Sequence, residues 1–188
     1  IAARLYSSVW KNLLVHPVEA ADQRQDMNRR RKATNRVLVI GGGGYIGSAL
    51  VPQLLNAGFT VRVFDSFMFG QEAIAAHVGH PNLEVVEADF RRIDQLVENL
   101  WDADSVVHLG GIVGDPACAL DEELTVEVNL TSTRSIAEVA KAQGIEKFLF
   151  ASTCSVYGAS DAIMDERSML NPVSLYARSK IGSERVLD

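Results

Sequence analysis

The chain has 188 residues, of which 47% are hydrophobic and 22% charged, and its net charge is −6. That composition supports one packed domain and excludes disorder, and no apolar run approaches the roughly 20 residues that a membrane-spanning helix needs. The charge is uneven: residues 1–36 hold eight Lys/Arg against three acids, and the remainder is net −11, so the acidic body is a poor surface for nucleic acid.

In chain order, Ile1–His16 places Leu5, Val9 and Leu13 at helical spacing. Pro17 follows, then a polar stretch ending in Arg29-Arg30-Arg31-Lys32. Residues 1–35 therefore read as an N-terminal extension, an amphipathic helix with a basic linker. A partner-binding helix and a transit-like presequence are the alternatives, and Glu19, Asp22 and Asp26 weigh against the presequence. From Arg36 the pattern turns regular. Val37–Ile40 is a continuous apolar run, as in a strand buried on both faces. A glycine cluster follows, and then a helix over Tyr45–Ala57 closed by Gly58. Strands are predicted at Thr60–Phe64, Leu83–Glu87, Ser105–Leu109 and Lys147–Ala151, with helices at Gln71–Val78, Arg92–Leu100, Asp121–Gln143 and Ser174–Leu187. Alternating strands and helices predict an α/β domain over 36–188, a doubly wound parallel sheet with ligands at the carboxyl ends of its strands.

The loop Gly41-Gly42-Gly43-Gly44-Tyr45-Ile46-Gly47 has the spacing Gly-x-x-Gly-x-x-Gly between the first strand and the first helix. A tight turn, a backbone without Cβ atoms and a helix N-terminus together suit a pyrophosphate. Asp65 ends the second strand, eighteen residues past Gly47. A carboxylate there accepts from an adenosine 2′-OH and repels a 2′-phosphate, which predicts NAD rather than NADP. Asp89, at the end of the third strand, either faces the adenine or caps the next helix.

Tyr176-Ala177-Arg178-Ser179-Lys180 is Tyr-x-x-x-Lys, which puts both functional groups on one helix face. An ammonium near a phenol favours the phenolate, so the tyrosine is expected to exchange protons near neutral pH. Phe150-Ala151-Ser152-Thr153-Cys154-Ser155-Val156-Tyr157-Gly158 leaves the fifth strand at the end where a hydroxyl meets the same reacting group.

These segments, with His108-Leu109-Gly110-Gly111, Val128-Asn129-Leu130 and Asn171–Lys180, resemble the extended short-chain dehydrogenase/reductases, and within them the NAD-dependent nucleotide-sugar epimerase/dehydratase group. The resemblance covers nearly all of 36–188 in the family's order and implies a Rossmann domain. It further implies that Thr153 hydrogen-bonds the sugar oxygen, Tyr176 is the general base, and Lys180 holds the nicotinamide ribose and depresses the Tyr176 pKa. Gly41, Gly44, Tyr45, Ile46 and Gly47 would line the pyrophosphate, Asp65 the ribose, Asp89 the adenine side, and Leu109, Gly110 and Gly111 the cofactor's flank. Asn129 would stand near the substrate wall, or be an ordinary polar helix residue. The implied partner is a nucleotide sugar, and the helices 121–143 and 174–187 match those that pair in dimeric relatives.

Two departures narrow the expectation. Thr153 is followed by Cys154 and Ser155, where the family's dehydratases carry acids, which leaves epimerisation, most simply at C4, as the expected reaction. A dehydratase or reductase, and a non-catalytic dinucleotide-binding scaffold or sensor, are the alternatives. The family also places a substrate lobe beyond the Tyr-x-x-x-Lys helix, and the chain ends eight residues after Lys180, so that lobe is expected to be missing and the chain to be a fragment. Cys118 and Cys154 are too few for a disulfide scaffold and favour a reducing, cytoplasmic setting. His16, His77 and His80 show no metal-ligand spacing.

Overall fold

Val37, Leu38, Val39 and Ile40 are each at most 4% exposed, so strand β1 (Arg36–Ile40) is covered on both faces, as its unbroken apolar run requires. Its side chains alternate between two cores. Leu38 and Ile40 join Phe64, Val106, Leu96, Leu100 and Ile136 on one face. Val37 and Val39 join Val61, Val63, Val51, Leu55 and Ile74 on the other. The computed structural model describes residues 35–188. The expected N-terminal helix and basic linker lie outside the described residues.

Around β1 run β2 (Thr60–Asp65), β3 (Leu83–Glu87), β4 (Ser105–His108) and β5 (Lys147–Phe150). All pair in parallel, in the order β3-β2-β1-β4-β5. Helix α1 (Tyr45–Asn56) follows β1 and contributes Val51 and Leu55 to one core. It closes with Phe59 N donating to Leu54 O and Gly58 at φ +85°, the left-handed stop expected there. Helix α2 (Ile93–Leu100) packs on the opposite face. The helix expected over 121–143 runs as α4 (Glu122–Val126), a π segment (Glu127–Thr131) and α5 (Ser132–Ala142). The last helix, α6 (Leu175–Leu187), is capped by Ser174, whose hydroxyl accepts from Ala177 N.

Two expectations fail locally. Instead of a helix over 71–78 there is a single 3-10 turn, Ala75–His77. The segment lies between Gly70 and Gly79, both at positive φ, and Ile74 is its one fully buried side chain, too little apolar face to sustain a helix. A short helix, α3 (Asp115–Leu120), was not expected; Pro116 sits in its first turn, where proline's missing N–H costs nothing.

At the amino ends of the strands Arg62 is 6% exposed. Its guanidinium donates to Glu84 at 2.9 Å and to Asp102 at 2.7 Å, and Arg36 also pairs with Asp102. These ion pairs satisfy a buried cation and bind β1, β2 and β3 to the turn before β4. No helix among the described residues is long and apolar enough to cross a membrane.

Candidate active site

The carboxyl ends of the strands open on one edge of the sheet. Between β1 and β4, chain connections leave in opposite directions, which creates the crevice where such sheets take ligands. Gly41 turns there at φ +78°. A Cβ on it would lie 2.5 Å from Gly110 N, and a Cβ on Gly47 would lie 2.2 Å from Gly42 O. These two glycines therefore let one loop pass another and let α1 sit close on its own loop. Gly44 differs: a Cβ there meets nothing nearer than Gly41 O at 3.4 Å. The protein's own packing does not require that glycine, whereas an approaching ligand would.

Gly44 caps α1 with no side chain of its own. The first intrahelical bond is Ser48 N to Gly44 O, 2.9 Å, so the amides of Tyr45, Ile46 and Gly47 have no partner from the preceding helical turn. The side chains of Tyr45 and Ile46 are 94% and 55% exposed. This is an uncovered, positively polarised helix end beside a loop open at Gly44, and it fits a diphosphate.

Asp65 braces the same loop. One carboxylate oxygen accepts from Gly43 N and the other from Phe67 N, both at 2.9 Å, and each oxygen keeps a lone pair for a ribose hydroxyl. Asp89 is less free. Arg91 grips its carboxylate through Nε and Nη2 (2.9 and 2.6 Å) and holds it below the usual carboxylate range. Asp89 does not cap α2, whose N-cap position is Arg92. Leu109 continues β4 with its amide on Ile40 O at 2.8 Å. Gly110 lies under Phe90, whose ring a Cβ would approach to 2.7 Å.

Asn129 stands behind the loop after β4, against Gly111 and Ser179. It is 2% exposed within the π segment. Its Oδ1 accepts from Ile112 N at 2.8 Å, and its Nδ2 donates to Ile112 O at 2.9 Å and to Ser179 Oγ at 3.3 Å. Both amide protons are thus spent on fastening the loop after β4 to α6. The Asn129 carbonyl accepts from the hydroxyls of Thr133 and Ser183, at 2.8 and 2.7 Å, bonds a π turn leaves room for.

Sequence reasoning also missed His108, which is fully buried. Thr133 has spent its proton on the Asn129 carbonyl, so its oxygen accepts from His108 Nε2 at 3.1 Å. That fixes the tautomer and leaves Nδ1 as a buried acceptor without a partner among the described residues. Burial, and then the nearby Lys180 ammonium, push the imidazole pKa down to about 3, so it stays neutral.

Thr153 and Tyr176 meet through their hydroxyls, and Lys180 reaches the same strand end at Ala151. Thr153 opens a 3-10 turn (Cys154–Tyr157), and its oxygen accepts from Ser155 N at 3.2 Å. Tyr176 and Lys180 are 7% and 3% exposed on the face of α6 turned to this turn. Lys180 Nζ donates to Ala151 O at 2.9 Å and lies 4.5 Å from the Phe150 ring centroid. The protonation expectation needs correcting. Burial pushes the Tyr176 phenol above its ordinary value, and the group that pulls it back is the Thr153 hydroxyl through a hydrogen bond, not Lys180. Lys180 spends its ammonium on Ala151, and burial lowers its own pKa to about 8. A cation already bound to a carbonyl exerts less pull on a phenol one helical turn away.

The model of the NAD dependent epimerase/dehydratase family matches residues 37–188. A curated UDP-glucose 4-epimerase of Rhizobium meliloti is 32% identical over 160 residues, 81% of this chain and 46% of that protein. Among solved structures, a UDP-glucose 4-epimerase of Thermus thermophilus in complex with NAD is 30% identical with a TM-score of 0.72, over 81% of this chain and 49% of that one. A dTDP-glucose 4,6-dehydratase of Streptomyces venezuelae with NAD bound is 32% identical with a TM-score of 0.76, over 80% and 50%. The chain thus spans about half the length of the relatives it matches.

Proposed function

From the NAD dependent epimerase/dehydratase family, to which this chain belongs, we propose a more specific reading: it is the cofactor-binding half of an NAD-dependent nucleotide-sugar epimerase, acting most simply at C4. The observation that carries this reading is the convergence of Thr153, Tyr176 and Lys180 on one strand end beside a glycine loop open at Gly44. The curated UDP-glucose 4-epimerase relatives support the same substrate class.

In this reading the amides at the start of α1 hold the diphosphate, and Asp65 accepts from the adenosine ribose. Bound NAD supplies a hydride acceptor that can return the hydride. Tyr176 takes the sugar hydroxyl proton, and Thr153 holds that oxygen in line. Lys180, when turned from Ala151, binds ribose hydroxyls and favours the phenolate. After the keto-sugar turns over in the site, Tyr176 returns the proton on re-reduction. Cys154 and Ser155 offer no carboxylate for elimination, which favours epimerisation. The dehydratase reading retains the support of the Streptomyces neighbour. A homodimer through α4–α5 and α6, and a reducing compartment suited to the free thiols of Cys118 and Cys154, complete the proposal.

The test is incubation of the full-length protein that carries this chain with UDP-glucose, with chromatography of the products. UDP-galactose without net NADH supports the epimerase. A keto-deoxy sugar indicates the dehydratase, and no turnover with intact NAD binding indicates the scaffold.

A further inference from the structure

The face of α6 that carries Tyr176 and Lys180 carries a third side chain one turn on, Glu184, because residues four apart stack along a helix. All three meet the tripeptide that leaves β5. The Thr153 hydroxyl bears on the Tyr176 phenol. Lys180 Nζ donates to Ala151 O at 2.9 Å. The Ser152 hydroxyl donates to the Glu184 carboxylate. The first two contacts belong to the chemistry proposed above, and the third has no task in it.

We propose that Glu184 is a positioning residue: through Ser152 it clamps the loop bearing Thr153 to α6, and so sets the Thr153 hydroxyl against the Tyr176 phenol. The inference rests on the reading of Thr153, Tyr176 and Lys180 as the reacting set. Ser152 and Cys154 are exposed, so little packing restrains the loop. Its main-chain ties are Ala151 N on His108 O at 3.0 Å, Ala151 O on Lys180, and Thr153 O accepting from Val156 N at 3.4 Å inside the 3-10 turn. The first two stop one peptide short of Ser152 and the third is local to the turn, so the Ser152–Glu184 bond is the tie that joins this peptide to α6. A misplacement of about 1 Å at a reacting group costs about a hundredfold in rate.

Glu184 also acts on Lys180 by charge. The groups that bear on this ammonium are Cys118 from α3, His108 from β4 and Glu184 from α6. Burial raises the Cys118 thiol and keeps His108 neutral. Burial lowers the Lys180 pKa to about 8, and Cys118 and then the Glu184 carboxylate oppose that shift. One side chain thus serves geometry and charge, and variants can separate the two.

The experiment compares Glu184→Ala, Glu184→Gln and Ser152→Ala in the full-length protein, with Tyr176→Phe as control, following kcat, KM and the Lys180 titration by carbon NMR. Glu184→Ala is expected to lower kcat about tenfold to a hundredfold with KM nearly unchanged. Glu184→Gln keeps an acceptor for Ser152, so it recovers kcat near neutral pH, while its Lys180 midpoint moves to lower pH. Ser152→Ala lowers kcat and leaves that midpoint in place; being a small change at an exposed residue, it serves if Glu184→Ala does not fold. Wild-type kcat in Ser152→Ala overturns the proposal. Unimpaired turnover in Tyr176→Phe instead overturns the catalytic reading beneath it.

Discussion

The two halves of the site are made of different material. The 41–47 loop and the start of α1 offer main-chain amides, and what matters there is the absence of side chains. The 151–153 loop and α6 offer side chains, and what matters there is which of them carries a proton. The first half is therefore sensitive to a single added carbon atom. The second depends on where its hydroxyls and ammonium are held and on which of them carries a proton.

The largest test of that contrast is Tyr176→Phe. It leaves the ring in place and removes the proton carrier, so sugar oxidation should fall by about a thousandfold or more while NAD affinity changes little. Comparable losses in both would show that the halves are not separable. Gly47→Ala probes the other half: its Cβ would sit 2.2 Å from Gly42 O, so α1 must shift, at about 3 kcal/mol of stability, read as a lower Tm and lost NAD binding. Gly44→Ala should keep most of the Tm and still weaken NAD. If it leaves NAD affinity unchanged, the diphosphate does not lie at Gly44.

Smaller in size is the cofactor preference. NAD at a hundred times its Kd should stabilise the fold by about 2.7 kcal/mol in thermal unfolding. NADP should do less, because Asp65 repels its 2′-phosphate, and an equal effect would refute that role for Asp65. Smallest is a pH effect on stability. Lys180 titrates near 8 in the folded chain and at its ordinary 10.5 when unfolded. Below about pH 8 both states carry the proton, and the full cost of burying the charge is felt. Between about pH 8 and 10.5 the unfolded chain alone keeps the proton, so stability rises with pH. The Lys180 share of that change is on the order of 3 kcal/mol, and the raised Cys118 and Tyr176 offset part of it. Urea unfolding across that window should show stability falling with pH in Lys180→Met relative to the wild type, because burial raises Cys118 and Tyr176 and their ionisation in the unfolded chain opposes the Lys180 gain.

How much could be read from sequence follows the same division. The central strands were legible because burial on both faces leaves apolar runs such as Val37–Ile40, and β3 and β5 were legible from short apolar stretches between helical segments although they are only partly buried. The glycine loop was legible because close approach admits no other residue at positions 41 and 47. The segment 71–78 misled because local helix-forming residues carry no information about a missing apolar face. The π segment left no trace, since one extra residue in a turn hardly disturbs a 3.6-residue period, and with it went the true task of Asn129. The positions of Tyr176 and Lys180 were visible in their spacing. Their protonation was not, because it depends on Phe150, Ala151 and Thr153, brought close by folding. Glu184 was in plain sight at the next turn of the same face, and its partner Ser152 was not.

Strand β5 has a consequence for handling. Among the described residues it pairs with β4 on one side and ends the sheet on the other, with Leu149 57% exposed on its flank. An open margin of this kind invites a second molecule to add its own strand. Concentrated samples of the 188-residue chain are therefore expected to scatter light increasingly with time, and a lysine substituted for Leu149, two strands away from β1, should slow that clouding without touching the glycine loop.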